Sequence, residues 1–242
     1  MCKAAFFAAI VFASFLPLHS THAQGARPQF RPALLGSGPA SLINRIDAAG
    51  LQKAGQKDGA VMFCAMAVKD GRLQQGRTYR AMPGSTALEQ EVMKQMAEAK
   101  IVPAIYNYQP VDVLFYGTVV FSIVNGRPQV RIFLHQDPVE LKKESDLIGP
   151  QPVFGGESKF VGLRVPQTQA VVPVSAVVDL GLKIDANGNP LEMRIIQEEP
   201  PLLGFGDAAL QDLAGAKFIP CFRDGDRTEC ETVLPVFYGT DA

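Results

Sequence analysis

Apolar and polar positions alternate along the chain in short stretches that run into turn-forming residue pairs. A strand pattern at 60–73 contains Asp70-Gly71 near its end, and another at 177–191 contains Asn187-Gly188. Asp-Gly and Asn-Gly pairs tolerate positive φ and are typical of tight β-hairpins. A second strand pattern follows each turn, so the sequence predicts two hairpins.

A helical spacing of apolar residues follows each hairpin. In 85–100 and in 206–218, apolar residues recur every three or four positions and line one face. These residues are Leu88, Val92, Met93, Met96 and Ala99 in the first helix, and Ala209, Leu210, Leu213 and Ala216 in the second. Thr86 with Glu89 predicts a capping box for the first helix, and Asp207 is the expected N-cap of the second.

The two halves carry the same landmarks at the same spacing. Gly71 and Gly188, in the hairpin turns, are 117 positions apart, and Pro103 and Pro220, beyond the two helices, are separated by the same number. Equal spacing between unlike landmarks indicates an internal repeat. Each half also ends in a further strand pattern, so the sequence predicts a duplicated unit.

Each half is therefore predicted as an α+β unit, a three- to four-stranded antiparallel sheet with a helix packed on one face. The closing strands fall at 111–124 and 231–239, and Asn125-Gly126 starts a further hairpin that gives the first half a fourth strand. The predicted organisation is two tandem small domains: a signal peptide at 1–23, an N-terminal segment at 24–58, a first domain at 59–141, a connection at 142–172 and a second domain at 173–242.

The N-terminus carries the three parts of a secretory signal peptide. Lys3 is followed by an apolar run at 4–18, and Thr21 and Ala23 are the small residues before a predicted cleavage between Ala23 and Gln24. The alternative is an uncleaved membrane anchor, for which the run is short. We therefore expect an exported protein.

Export changes the interpretation of the cysteines, because disulfides persist in oxidising compartments. Cys221 and Cys230 flank a polar segment centred on Asp224-Gly225, and a hairpin there would bring the two Cα atoms within disulfide range. The sequence predicts this bridge, with metal binding as the weaker alternative. Cys64 lies in an apolar strand pattern and is interpreted as a core residue, and a reactive or intermolecular thiol stays open.

Charge and motif content argue against several functions. A formal net charge of −1 offers no electrostatic footprint for nucleic acid. His135 is the only histidine after the predicted signal, and a strand histidine without a partner pattern is more often structural than catalytic. The common hydrolase, metalloprotease and phosphate-loop motifs are absent from the sequence. We therefore expect no enzyme, no cofactor, no metal and no nucleic-acid partner.

Two further segments could have carried chemistry. Glycines at 202–207 precede a helix, where an anion can bind, but the segment is interpreted as a flexible approach to that helix. Glu198 and Glu199 are expected on a solvated loop before Pro200-Pro201.

The second half contains an ordered set of elements: the hairpin LGLKIDANGNPLEMRII, the helix DAALQDLAGAKFIP and the strand ETVLPVFY, after PVFGGESKF at 152–160. In this order it resembles the C-terminal domain of TonB-type energy-transducing proteins, over roughly 152–239. The first half resembles that domain only through the repeat. TonB proper has a long Pro-rich spacer, and 24–59 is too short for one.

The resemblance implies that an open sheet edge binds an extended segment as an added strand. The candidate edge residues are Thr232, Val233, Leu234, Val236, Phe237 and Tyr238. The alternative is that their side chains only pack and pair within the fold. Pro235 removes one donor, which suits an edge strand and can equally protect it from pairing.

The function that the resemblance implies is a periplasmic binding or adaptor protein in envelope transport. Its expected partners are envelope proteins, including TonB-dependent outer-membrane receptors, and a homodimer through sheet edges stays open. The alternative is a structural or peptidoglycan-associated envelope protein without an energy-transducing role. An uncleaved signal would instead tether the protein to the inner membrane.

Overall fold

A computed structural model describes residues 28–166 and 173–239. It is a mixed α+β structure in which the strands pair antiparallel, which confirms the predicted fold class at that level. Within the described residues, no helix has the length and apolar character needed to cross a membrane. The predicted cleavage site at Ala23 and Gln24 lies outside the described residues.

The first half is built around a four-stranded sheet with one long helix. Its elements are β1 (Phe30–Arg31), α1 (Leu42–Arg45), α2 (Ala48–Lys53), β2 (Gly59–Ala67), β3 (Leu73–Ala81), α3 (Thr86–Met96), β4 (Ala104–Tyr106), β5 (Gln109–Val124) and β6 (Arg127–Phe133). The strands β3, β2, β5 and β6 lie side by side in that order. Strand β4 pairs with β5, and β1 pairs with β4. Asn125 and Gly126 both have positive φ and form the β5–β6 turn.

The start of α3 differs from the prediction. The N-cap is Ser85, not Thr86, and the side chain of Ser85 makes no capping hydrogen bond. Glu89, expected in a capping box, instead accepts a hydrogen bond from Thr78 Oγ1 on β3. Gln56 supplies the missing cap, since its Oε1 accepts from the backbone N–H of Leu88 at 3.0 Å. The capping box was wrong because a residue from outside the helix satisfies its first turn.

A connecting stretch and the second half follow. The elements are α4 (Pro138–Lys143), β7 (Leu147–Ile148), β8 (Gln151–Phe154), β9 (Ala176–Ile184), β10 (Pro190–Glu199), α5 (Phe205–Leu213), β11 (Phe218–Ile219), β12 (Cys221–Arg223), β13 (Asp226–Thr228) and β14 (Cys230–Tyr238). The second sheet has the order β10, β9, β14. The small strands β13, β12 and β7 form a third sheet.

The two halves share one strand register. Strands β2 and β9 begin and end 117 positions apart, and so do β4 and β12. In the first sheet Gly59 pairs with Phe121, and in the second Ala176 pairs with Tyr238, which are the residues 117 positions further on. Both hairpins also contain two register shifts. The same residue spacing therefore produces the same pairing twice.

The common register extends into segments that the sequence left unassigned. Phe30 on β1 pairs with Tyr106, and Leu147 on β7 pairs with Arg223, again at a spacing of 117 on both strands. The bridge between Leu34 and Val102 likewise corresponds to the pairing of β8 with β11. The N-terminal segment at 24–58 and the connection at 142–172 thus contain equivalent strands, one set preceding each hairpin.

The two halves contact each other through their sheet faces opposite the helices. Tyr79 on β3 stacks on Phe237 of β14, with ring centroids 5.5 Å apart. Arg80 donates both to Asp179 on β9, at 3.0 Å, and to Glu199 on β10, at 2.9 Å. Tyr116 belongs to the apolar cluster that is otherwise made mainly by the second half. Strand β8 adds a backbone link, because it pairs with both β5 and β11.

Candidate functional site

The candidate edge lies on β14, whose side chains alternate between two environments. Thr232, Leu234, Val236 and Tyr238 face the helix side and are buried, and the ring of Tyr238 contacts Phe205 at the start of α5. Val233 and Phe237 point to the other face and are half-buried. The side chains of the predicted edge residues therefore pack within the protein, and what β14 can offer a partner is its backbone.

Among the described residues, β14 pairs with one strand only. Its partner is β9, over nine positions from Cys230 to Tyr238, and its other side carries no paired strand. The counterpart strand β5 is closed over most of that side, because β6 pairs with Thr118–Val124 and β8 pairs with Asp112 and Val113. The same edge is thus covered in the first half and open in the second.

Pro235 lies in the middle of this edge. It is buried and pairs in register with Asp179, without breaking the β9–β14 ladder. Because proline has no N–H, one backbone donor is missing from β14. Pro235 therefore divides β14 into two shorter stretches whose residues each carry a backbone donor.

A disulfide fixes the chain where β14 begins. The predicted bridge between Cys221 and Cys230 is present, with Cα atoms 6.2 Å apart. It closes the β12–β13 hairpin, whose turn residues Asp224 and Gly225 both have positive φ. The bridge restricts the path by which the chain enters the edge strand.

The start of α5 is closed to anions. The N-cap is Gly204 in the left-handed conformation, not the predicted Asp207. Glu198, at the end of β10, accepts hydrogen bonds from the backbone N–H groups of Leu203, Phe205 and Gly206 at 3.0–3.3 Å. The prediction that Glu198 and Glu199 lie on a solvated loop was wrong, because both are in β10 and one is used as a helix cap. A carboxylate from this chain already occupies the place where an anion would bind.

His135 is buried, and its surroundings do not indicate a catalytic role. Its side chain is 1% exposed, and neither ring nitrogen has a hydrogen-bond partner among the described residues. Its ring lies edge-on to Phe133, and its backbone oxygen accepts from Thr118 Oγ1. Burial lowers the pKa of His135, which the charges of Asp137 and Glu140 oppose and that of Arg223 assists. Within the described part of the chain, neither ring nitrogen is hydrogen-bonded to a nucleophile, and the geometry fits a core histidine.

The buried His135 makes a testable difference to stability at mildly acidic pH. Because its pKa is lowered in the folded state, the unfolded chain takes up the proton first, and stability falls as the pH drops below about 6.5. We expect a loss of at most about 1.4 kcal/mol per pH unit from this residue. Urea unfolding at pH 7, 6 and 5 should show a flatter profile for His135→Phe than for the wild type.

The ion pair of Glu140 with Arg223 lies near His135 but does not change its protonation in this pH range. Hydrogen bonds from Arg223 and Ser145 lower the pKa of Glu140 to about 2, so this carboxylate stays ionised throughout the range. Equal pH slopes for His135→Phe and the wild type would show that His135 does not contribute.

The remaining candidate groups are Cys64 and the possible metal ligands. Cys64 is buried, and burial raises the pKa of its thiol to about 12, so the reactive thiolate is disfavoured. Over 28–166 and 173–239, no three His, Cys, Asp or Glu side chains come together in a way that could hold a metal ion. The open edge of β14, which is the edge that the sequence predicted, therefore stays the candidate functional site.

Comparisons of the chain with protein-family models, with curated proteins and with solved structures returned no match.

Proposed function

We propose that this protein is an exported binding or adaptor protein that captures an extended segment of a partner as an added strand on β14. One observation carries the proposal: β14 is open on the side where its counterpart β5 is covered by β6 and β8. An uncovered antiparallel edge presents unpaired N–H and C=O groups, and these give affinity for an extended chain.

The proposal includes the origin of the two halves. We propose that they are tandem copies of one TonB C-terminal-like unit, supported by the common register and by the sequence likeness at 152–239. Among the described residues, the closing strand is left uncovered on this side in the second copy and not in the first, so we propose that the second copy is the binding unit and the first its support. The expected setting is the periplasm, and the expected partners are exposed segments of envelope proteins, including TonB-dependent outer-membrane receptors.

Hydrogen exchange on the purified protein tests the proposal. Peptides from the periplasm-facing segments of such receptors are added, with scrambled peptides as controls. We expect slower exchange of the backbone amides at 230–238 with the receptor peptides, because an added strand pairs the outward N–H groups. The amides of β5 at 118–121 serve as the control, since these residues already pair with both β2 and β6. No slowing at 230–238 with any extended peptide would overturn the proposal.

The second candidate function is a structural envelope protein that binds peptidoglycan. Pro235 favours it, because a proline in the middle of an edge hinders the pairing of a continuous strand. Sedimentation with purified cell wall separates the two functions. Co-sedimentation without any peptide-induced protection of β14 would select the structural role.

A further inference from the structure

We infer that the strand bound by β14 runs antiparallel to it and places apolar side chains opposite Tyr238 and Val236, with a polar residue between them. The inference rests on the proposed function and defines its ligand. It uses a template inside the same chain, because β6 already fills the equivalent edge of the first half.

The template has a simple pattern. In the antiparallel β5–β6 ladder, Val130 lies opposite Phe121 and Ile132 lies opposite Val119. Val130 and Ile132 both pack against the apolar core of the first half. Arg131 lies between them and is exposed, as an alternating strand requires. The segment that covers the first edge is therefore apolar, polar, apolar.

The open edge of β14 has buried residues at the positions equivalent to those that β6 covers on β5. Tyr238 and Val236 are 117 positions beyond Phe121 and Val119, and all four are buried on the helix side of their sheets. Each of the four pairs with the equivalent residue of the central strand, β2 or β9. A strand that pairs with β14 in the register of β6 thus directs its apolar residues to the side of Phe205 and α5.

The segment beside the helix supports the same geometry. In the first half the segment before α2 runs along α3, and the backbone N–H of Asp47 donates to Glu91 of that helix. The chain then continues into α2, which lies against β6. In the second half the chain runs along α5, where the backbone N–H of Arg164 donates to Asp212 at 2.7 Å. Val161 and Val165 in this stretch are 81% and 45% exposed. Exposed valines beside α5 are apolar surface that an added strand can cover.

The ligand class follows from this arrangement. It is an extended peptide with two apolar side chains separated by one polar residue, bound with its N-terminal end near Tyr238 and its C-terminal end towards Leu234. The side chains that it meets on β14, those of Tyr238, Val236 and Leu234, carry no charge.

The test uses two synthetic peptides of identical composition. One has the sequence of 126–135, and in the other the residues corresponding to Arg131 and Ile132 are exchanged, which moves one apolar side chain to the opposite face. We expect the first peptide to bind the full-length protein about tenfold more tightly, as the loss of one well-packed apolar pair predicts. Fluorescence polarisation measures both affinities.

Nitroxide labels at either end of the first peptide report its direction by NMR. A label at the N-terminal end should broaden the amide signals near Tyr238, and a label at the C-terminal end those near Leu234. Reversed broadening, or equal affinity of the two peptides, would overturn the inference. The proposed function would still stand if an extended peptide slows hydrogen exchange at 230–238. If no extended peptide slows exchange at 230–238, the inference and the proposed function are both rejected.

Discussion

The substitution Gly188→Ala should destabilise the protein by about 4 kcal/mol, among the largest effects expected for a single methyl group. Gly188 has φ +78°, and an added Cβ would lie 1.9 Å from the backbone oxygen of Phe218. This close approach is part of the fold, because the N–H of Phe218 donates to the oxygen of Gly188 at 3.1 Å. An alanine must therefore break the contact between the β9–β10 turn and β11.

A matched control separates the steric clash from the backbone conformation. Gly225 also has a positive φ, +87°, but nothing lies within 4 Å of the position of its Cβ. We expect Gly225→Ala to cost about 1 kcal/mol, the ordinary penalty for a left-handed residue with a side chain. Urea unfolding measures both free energies. Equal costs for the two alanines would show that the contact with Phe218 carries no special weight.

The same contact occurs in the first half. Gly71 has φ +86°, its oxygen accepts from the N–H of Ile101, and an added Cβ would lie 2.9 Å from the oxygen of Ile101. The two glycines that mark the repeat in the sequence therefore have one physical role. Each lets a hairpin turn touch the chain that follows the helix, and this explains why glycine occupies both positions.

Local signals made the hairpins predictable. The alternating stretches and their Asn-Gly or Asp-Gly turns predicted β2, β9 and β10 nearly at their observed bounds, whereas the strand predicted at 77–82 covers only the second half of β3. The helical spacing located α3 and α5. Asn125-Gly126 likewise indicated β6, which covers the first edge. These elements depend on neighbours in the chain, so their patterns are visible without the fold.

The missed features depend on distant partners. Strands β1 and β7 have two residues each, too few to show a period, and exist only because β4 and β12 lie beside them. The cap that Glu198 provides to α5 comes from the preceding strand. The openness of β14 is also a property of its surroundings. The pattern at 231–239 predicted a strand, but only the pairing shows which side of it is uncovered.

A variant that covers its own edge should lose peptide binding almost completely. In this variant a second copy of the segment 125–135 follows Asp241 directly, in place of Ala242. Asp241 is 117 positions beyond Val124, so the variant reproduces the residue spacing of the β5–β6 connection. The added segment should fold back on β14 through its Asn-Gly turn. A tethered strand has an effective concentration of about 1 mM, so a peptide that binds at about 10 μM should be weakened about 100-fold.

The control variant carries the same attached segment with its apolar and polar positions exchanged, so that it cannot direct valine and isoleucine towards α5. It should bind the peptide of 126–135 as the wild type does. Hydrogen exchange provides the second measurement, because only the self-covering variant should protect 230–238 without added peptide. If that variant protects its edge and still binds peptide with wild-type affinity, the binding site is not β14. A loss of affinity in both variants would point to the tail itself rather than to strand pairing.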